Sequence, residues 1–498
     1  MSSIRNNPVP ALLALLIIVF TWLGANAVAG QKAFWFDEIL TLRVSEASPG
    51  KDLWQAMTAG FEFNPPMAYL AVRASESIYG RGEVSSRLPF MLAGIVSLLF
   101  LFLIQLRKGD PWAGTWAILF LLSTEALSYF YEARGYVFTI CATLITWFCV
   151  ECIDRSGRWA NLRALGIFFA IAMALLSHMW AILIPACFGC AILIECWQER
   201  RLDLKPLIAI ALACPIALHY PALVAATKAV QFNNEIYNIP FFQATELILY
   251  RLPILCLFLV LIILVLSPFL RSAAKPSLEA KINFETLLCL GLIATPFLIY
   301  AATRVTSTAF MRRYTLLFAL GVAILLAKQF SPIFSRAHRA IQVVLVTVAF
   351  AIVFVRFATD ISRVDKTSDH KFEDVEFSPL VNGKEPIFFG NGLDYLSAEF
   401  YAGPQLSNRF HFVADRGRAI QFTGTDGVDS ALILGESRLH LHNRLASWQD
   451  LTKIQSSFWV VDSESPLNWL RPALFAAGYD VKRFRFGKQT VLYVTRPS

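Results

Sequence analysis

Charged side chains are scarce in this sequence, since Asp, Glu, Lys and Arg together make up only 16% of its 498 residues. Hydrophobic residues make up 56%, a share that is too high for a soluble chain of this length. The scarcity of charge therefore excludes a soluble globular protein and predicts a polytopic membrane protein. No basic run is interleaved with aromatic residues, so the net charge of +8 predicts basic cytoplasmic loops and no nucleic-acid partner.

Cysteine is absent from roughly the last two hundred residues, because the ninth and last cysteine is Cys289. This absence excludes a disulfide framework in that part of the chain. Cys187 and Cys190 form a CxxC pair, but it lies in a hydrophobic segment with no partner pair of Cys or His. We therefore expect small buried apolar side chains there and not zinc ligands.

Long apolar runs are abundant, and a run of about 20 apolar residues can cross a bilayer. The first run, Pro10–Ala29, is longer than the core of a typical signal peptide and lacks a convincing cleavage site, which predicts a retained span. The eleven predicted spans are approximately residues 10–29, 88–106, 112–129, 137–153, 162–176, 180–197, 206–224, 247–270, 284–302, 315–326 and 341–357.

Lysine and arginine are concentrated in alternate connections between these spans, for example at Arg107 and Lys108 and at Arg200 and Arg201. The positive-inside rule places these connections and the N-terminus in the cytoplasm, so an odd number of spans places the C-terminus outside. Several polar residues that are distant in sequence then share the outer face of the membrane. They are Asp37, Glu38, Glu132, Arg134, His178, Arg312 and Arg313.

Two adjacent carboxylates, Asp37 and Glu38, follow the first span among three aromatic rings. Aromatic rings favour the membrane interface, whereas carboxylates are costly there unless they are solvated or paired. The pair therefore indicates a site, although a solvated loop that begins with acids is the alternative. The loop that they open, residues 30–87, is too long for a simple turn. It is expected to contain short interfacial helices near residues 40–44, 53–57 and 67–79.

The composition changes near Ala358, and residues 358–498 are predicted to form a soluble domain after a membrane domain at residues 1–357. Alternating strand and helix patterns indicate a small α/β domain. Gly390-Asn391-Gly392 is too short to indicate a nucleotide site, so packing or acceptor contact is the expected role. The predicted strands are residues 386–390, 410–413, 431–434, 458–462 and 491–495, and the predicted helices are 393–401 and 467–477.

Six motifs in the first 330 residues or so occur in an order that resembles one group of bacterial membrane enzymes. They are Phe36-Asp37-Glu38, Asn64-Pro65-Pro66-Met67-Ala68-Tyr69, Arg87-Leu88-Pro89, Glu132-Ala133-Arg134-Gly135-Tyr136, Ser177-His178 and Arg313-Tyr314. The set is similar to that of GT-C glycosyltransferases related to protein O-mannosyltransferases and to the lipid A aminoarabinose transferase, in glycosyltransferase family 39. That family often has Asp-x-His before Pro-Pro, where this chain has Glu62-Phe63-Asn64, so a role for a histidine there is in doubt.

The resemblance implies a fold of about eleven transmembrane helices, an extracytoplasmic active site and sugar donors carried on polyprenyl phosphate. It implies that Asp37 is the general base, with Glu38 as a less certain neighbour. Arg304, Arg312 and Arg313 would hold the leaving phosphate, although anchoring to lipid headgroups is the alternative.

Four further residues are candidates for substrate binding. Glu132 and Arg134 would form an ion pair that shapes the cavity, or would contact the donor or a divalent metal ion. His178 would touch phosphate or acceptor, or would be merely interfacial. Tyr314 completes the set through its motif with Arg313.

The expected function is transfer of a hexose or pentose to a lipid, glycan or protein acceptor at the bacterial inner membrane. A transporter or flippase of a lipid-linked sugar is the alternative, but it should show repeated halves with charges near the membrane midplane. No clear repeat is visible, and the acids cluster at one face. A third interpretation is a sensor whose outer domain binds a ligand, but it leaves the acidic first loop unexplained.

Overall fold

The computed structural model describes residues 8–62, 64–153, 157–200, 202–227, 239–249, 283–306, 310–367, 380, 383–439, 441, 444–454, 457–463, 465–486 and 489–496. The chain divides into two compact units. The first, which we call the bundle unit, comprises Met1–Gly30, Val84–His219 and Pro240–Ile361. The second, which we call the sheet unit, comprises Gln31–Glu83, Tyr220–Ile239 and Ser362–Ser498.

The bundle unit is built from helices, because a helix satisfies its own backbone polar groups inside a bilayer. Seven of the described helices are long and apolar enough to cross a membrane, or eight if one bent pair counts as a span. The α-helices are Val9–Gln31, Glu83–Arg107, Pro111–Ser123, Tyr136–Cys152, Gly157–Leu175, Leu183–Glu199, Leu204–Ala213, Phe241–Leu249, Phe284–Thr306, Leu316–Arg336 and Arg339–Thr367. Short 3-10 helices lie at Glu125–Tyr131, Met179–Ile182, Cys214–His219 and Arg312–Thr315.

The predicted multi-span helical fold is confirmed, since ten of the eleven predicted spans coincide with helices. The eighth span, residues 247–270, lies almost entirely outside the described residues. The seventh is interrupted by the 3-10 turn Cys214–His219. The last helix, Arg339–Thr367, continues past the boundary at residues 357 and 358, and that domain boundary stays a prediction.

The third predicted span is bent by 78° between Pro111–Ser123 and Glu125–Tyr131. The backbone of Thr124 is extended at this point, so the first helix ends there. The Thr124 hydroxyl then accepts the Ala126 N–H at 3.1 Å and caps the second helix. A hydroxyl that starts a new helix within an apolar run thus changes the direction of the chain.

One end of the bundle unit carries a cluster of buried and half-buried charges. The carboxylate of Glu285, whose side chain is 3% exposed, lies 3.0 Å from the ammonium of Lys328 and 3.1 Å from that of Lys108. Lys108 also lies 2.5 Å from Glu151, in the last turn of helix Tyr136–Cys152. These ion pairs link four helices of the bundle unit.

The sheet unit contains the long first loop as well as the C-terminal residues. The predicted interfacial helices of the loop are present, together with a fourth short helix from the middle of the chain. They are Phe36–Ser45, Lys51–Thr58, Met67–Tyr79 and Tyr220–Thr227. The C-terminal helices are Gly392–Tyr401, Pro404–Ser407, Arg416–Thr423, Gly427–Leu434, Trp448–Lys453 and Leu470–Ala476.

Six strands form one mixed sheet in the order β3-β2-β1-β4-β6-β5. They are β1 Ile387–Phe389, β2 Phe410–Val413, β3 Leu445–Ala446, β4 Phe458–Val461, β5 Asp480–Phe486 and β6 Gln489–Thr495. The pairs β1–β2, β1–β4 and β2–β3 are parallel, whereas β6 pairs antiparallel with β4 and β5. β1 is buried on both faces, which is typical of a parallel sheet covered by helices.

The predicted C-terminal α/β fold is confirmed, but one predicted strand is wrong and two strands, β3 and β5, were not predicted. Residues 431–434 belong to helix Gly427–Leu434, where the Ser430 N–H donates to the Asp426 carbonyl at 2.7 Å. A short apolar run fits a strand or a helix equally well. Both unpredicted strands lie at the edges of the sheet. β3 has only two residues, and β5 is rich in charge, as exposed edge strands often are.

Candidate active site

A close approach of two loops builds the candidate site of the bundle unit. A Cβ atom on Gly135 would overlap the carbonyl oxygen of Ser177, so the approach requires glycine. The side chains next to these residues meet as a result, with the rings of Tyr136 and His178 4.9 Å apart. The predicted motifs around Arg134 and His178 are therefore neighbours in space.

His178 is buried in the loop before the 3-10 turn Met179–Ile182, and its Nδ1 accepts the Trp180 N–H at 3.2 Å. Burial lowers the pKa of this imidazole to about 3, with further contributions from the positive charges of Arg313 and Arg134. The ring is therefore neutral near pH 7. Because Nδ1 accepts a hydrogen bond, Nε2 carries the proton and is the donor atom of the ring.

Tyr136 lies at the centre of the cluster. The guanidinium groups of Arg134 and Arg313 each lie 5.9 Å from the centre of its ring. Tyr314 extends the aromatic contacts, with its ring 5.5 Å from His178 and 6.1 Å from Trp180. Arg313, a neutral imidazole and three aromatic rings thus line one small cavity, and Arg134 lies against the ring of Tyr136. This arrangement is suited to an anion beside an apolar group.

The candidate cavity and the charge cluster lie at opposite ends of one helix. Tyr136 is the first residue of helix Tyr136–Cys152, and Glu151 is in its last turn. The predicted sharing of one face by Arg134, His178 and Arg313 agrees with this arrangement.

The other predicted residues of the bundle unit lie around the cavity but are not among its lining residues. Glu132 is half-buried, and its carbonyl accepts the Arg134 N–H at 2.7 Å. Arg304 is exposed, with its guanidinium 5.4 Å from the centre of the Tyr300 ring. The backbone of Arg312 lies in the 3-10 turn Arg312–Thr315, whereas its side chain is outside the described part of the structure.

In the sheet unit, Asp37 and Glu38 begin helix Phe36–Ser45 and differ in environment. Glu38 is fully buried, and its carboxylate accepts the Trp35 N–H at 3.4 Å, which caps the helix. Asp37 is half-buried, and its carbonyl accepts the Thr41 hydroxyl at 3.0 Å. Asp37 is therefore the more accessible of the two carboxylates.

Helix Gly392–Tyr401 of the C-terminal sequence holds the start of this loop within the sheet unit. The Tyr401 hydroxyl accepts the Phe34 N–H at 2.6 Å, and the rings of Phe34 and Phe400 pack edge to face at 5.8 Å. Arg43 lies 3.5 Å from the carboxylate of Glu399 and above the Phe400 ring at 5.6 Å.

Sequence reasoning missed some of the residues that build these sites. Gly135 and Tyr136 belong to a sequence motif, but the sequence predicts no role for either residue. Trp180 was read as the start of a span. Glu399 and Tyr401 lie in a domain for which no link to the first loop was predicted. The described residues contain no group of three His, Cys, Asp or Glu side chains that could hold a metal ion, so the possible divalent ion receives no position.

Comparisons with known proteins agree with the predicted fold. Residues 64–224, about a third of the chain, match the model of the dolichyl-phosphate-mannose-protein mannosyltransferase family. No curated protein sequence matches the chain.

Two solved structures of ArnT from Cupriavidus metallidurans are similar over 98% of this chain and 99% of theirs at 12% identity. Their TM-scores are 0.58 for the apo state and 0.57 for the complex with undecaprenyl phosphate. The Archaeoglobus fulgidus oligosaccharyltransferase with zinc and sulfate has a TM-score of 0.42 at 12% identity, with 89% of this chain and 67% of that one covered. The predicted resemblance to the GT-C glycosyltransferases is confirmed at the level of the fold.

Proposed function

We propose that this membrane protein with the GT-C fold transfers one sugar from a polyprenyl-phosphate donor to an extracytoplasmic acceptor. The observation that carries the proposal is the convergence of Arg134, Arg313 and neutral His178 around Tyr136, whose ring lines one small cavity of the bundle unit. Mannosyl- and aminoarabinose-type donors are both consistent with the family match and the fold. The acceptor is a lipid, a glycan or a protein.

In the proposed reaction an acceptor hydroxyl oxygen forms a bond to the anomeric carbon of the sugar. The bond from that carbon to the phosphate oxygen breaks, and the electron pair leaves with the phosphate. Arg134 and Arg313 stabilise the charge on this leaving group, because guanidinium groups match phosphate oxygens in a bidentate manner. His178 donates its Nε2 proton as a neutral hydrogen bond to the same group.

Asp37 takes the proton of the acceptor hydroxyl as general base. Its partial exposure supports this role, whereas burial and the bond to the Trp35 N–H give Glu38 a supporting role at the start of the helix. Glu132 shapes the loop that carries Arg134, and Tyr314 packs against His178. Arg304 and Arg312 are assigned to the lipid headgroup region.

The proposed location is the inner membrane of a bacterium, with the N-terminus in the cytoplasm. The domain of residues 358–498 would then lie in the periplasm or outside the cell, and residues 1–357 would form the membrane domain. The basic connections between spans support this orientation.

Incubation of the purified protein with a panel of polyprenyl-phosphate sugars tests the function. Release of free polyprenyl phosphate that depends on acceptor supports sugar transfer and identifies the sugar. Movement of an intact lipid-linked sugar across proteoliposomes, without release of lipid phosphate, would instead establish the transporter. A variant with Arg304→Ala serves as control, since this exposed side chain lies outside the cavity lining.

A further inference from the structure

A second polar cleft lies in the sheet unit, next to the carboxyl end of β4. It has a volume of about 780 Å³, within the usual range for sites of small ligands. Asp462, the residue after β4, lines it with a carboxylate that is 1% exposed. The Asp462 N–H donates to the Thr490 carbonyl at 2.9 Å, so the backbone holds this residue in place.

Two arginines from different elements share this one buried carboxylate. Arg471, on helix Leu470–Ala476, places one guanidinium nitrogen 3.3 Å from both oxygens of Asp462. Arg483, on β5, places its Nε 4.0 Å from the same carboxylate. Two positive charges and one negative charge leave a net charge of +1 in the cleft.

The two guanidinium groups retain most of their hydrogen-bonding capacity. Each carries five N–H donors, and their side chains are 44% and 59% exposed for Arg471 and Arg483. Asp462 fixes their positions before any ligand arrives, which lowers the entropy that binding would lose. A net positive charge on these arginines suits an anionic group.

Asn468 supports Asp462 from inside the domain. Its Nδ2 donates to the Ser463 carbonyl at 3.1 Å and to Asp462 at 3.4 Å, which fixes the amide. Its Oδ1 is buried and makes no hydrogen bond, although a buried carbonyl oxygen ordinarily has a donor. This oxygen packs against the backbone of Gly390 and is closed to solvent, so Asn468 acts in the cleft only by holding the carboxylate of Asp462.

Most of the remaining wall of the cleft is apolar. The Phe475 ring is 59% exposed, and Pro472 precedes it by one helical turn on the same helix. An exposed large aromatic side chain beside oriented charges is typical of a binding surface. The cleft therefore suits a ligand that has a negatively charged group and a ring with an apolar face.

The geometry points to a binding site for an acidic sugar unit, with its anionic group on Arg471 and Arg483 and its ring against Phe475. The anionic group is a carboxylate or a phosphate ester, which both arginines bind by the same chemistry. Binding here does not depend on sugar transfer by the bundle unit, so an experiment can refute this site without refuting the proposed function, and the reverse.

Isothermal titration calorimetry on the purified full chain tests the site with three probes. They are a trimer of galacturonic acid, mannose 1-phosphate and a neutral mannose trimer. We expect at least one acidic probe to bind, with affinity that falls as salt is added, and the neutral trimer to bind far more weakly. The acidic probe that binds identifies the anionic group.

Matched variants locate the binding. Arg471→Gln and Arg483→Gln should each weaken binding by about tenfold to a hundredfold, the scale of a hydrogen bond to a charged group. Lys482→Gln is the control, since Lys482 neighbours Arg483 on β5 but lies on the other face of the sheet. Phe475→Ala removes an exposed ring and should weaken binding without affecting folding.

The site is refuted if neither acidic probe binds at concentrations up to about 1 mM, the limit of a useful weak affinity. It is equally refuted if the arginine variants, shown to be folded by thermal unfolding, bind as tightly as Lys482→Gln. Equal affinity for the neutral trimer would also overturn it, because the charge would then contribute nothing.

Discussion

At the scale of single residues, Asp37 and Glu38 are neighbours with different surroundings. We expect Asp37→Asn to leave donor binding intact and to lower turnover by about a hundredfold or more, the usual contribution of a general base. Release of polyprenyl phosphate under saturating donor measures this. Glu38→Gln should affect turnover less, because an amide oxygen still accepts the Trp35 N–H. The reverse ranking would exchange the two roles.

Arg313 is the second residue for which the structure permits a matched comparison. Arg313→Ala should weaken donor binding by about tenfold or more, since a charged hydrogen-bond donor to phosphate is lost. Arg313→Lys should restore binding only in part, because lysine lacks the bidentate geometry. Arg304→Ala should bind donor normally in the same equilibrium assay. If Arg313→Ala and Arg304→Ala lost equal donor affinity, both arginines would act only by general attraction to the membrane surface.

Sequence alone predicted much of this residue set, for a physical reason. Arg134, His178 and Arg313 stand out because polar side chains beside apolar spans are rare and costly. The central place of Tyr136 could not be predicted, since aromatic residues are common at the membrane interface whatever they contact. Arg304 and Arg313 look alike in sequence, because the direction of a side chain depends on packing.

At the scale of elements, helix Phe36–Ser45 depends on a contact with helix Gly392–Tyr401. Tyr401→Phe removes the acceptor of the Phe34 N–H, a bond worth about 1 kcal/mol. We expect faster proteolysis of the first loop and turnover lowered several-fold, with donor affinity unchanged. Tyr493→Phe, which also removes a hydrogen-bonded hydroxyl from the sheet unit, is the control. Equal effects of both variants would mean general loss of stability.

Buried Asp429 gives the sheet unit a predictable response to pH. Burial raises the pKa of this carboxyl to about 7, although the Trp469 indole N–H donates to it at 3.1 Å. Between pH 4 and pH 7, roughly, the folded state binds more protons than the unfolded state, so stability falls as pH rises and levels off above pH 7. Asp429→Asn, whose amide oxygen keeps the indole bond, should flatten this slope and stabilise the protein at pH 8.

Thermal unfolding followed across this pH range measures the effect, and Asp450 supplies a control of opposite sign. The Ser447 hydroxyl lowers the pKa of the exposed Asp450 carboxyl, so its contribution is lost as pH falls. Asp450→Asn should therefore not change the fall in stability between pH 4 and pH 7, roughly, that Asp429 causes. A slope that persists in Asp429→Asn would show that another group causes it.

Some helices and strands could be predicted from the sequence and others could not. Long spans were predictable because about 20 apolar residues in a row leave few alternatives. The bend at Thr124 was not, since one hydroxyl decides between a continued helix and a new one. Residues 431–434 were misassigned because four apolar residues carry no periodicity.

At the scale of the whole molecule, orientation in the membrane is the property that remains to be measured. A reporter enzyme that is active only outside the cytoplasm, fused after Ser498, should be active, because basic residues occupy alternate connections. The same reporter fused in the connection after Lys108 should be inactive. An active reporter after Lys108 with an inactive one after Ser498 would invert the predicted topology.

The sheet unit joins residues 31–83 to residues 362–498, and this has a consequence for biosynthesis. The first loop emerges from the ribosome early, whereas the helix that holds Phe34 and Arg43 is translated roughly 350 residues later. Until then the segment that contains Asp37 lacks its partner. A nascent chain that stops before residue 392 would insert into the membrane without a finished first loop, so we expect premature termination to yield a product that cannot transfer sugar.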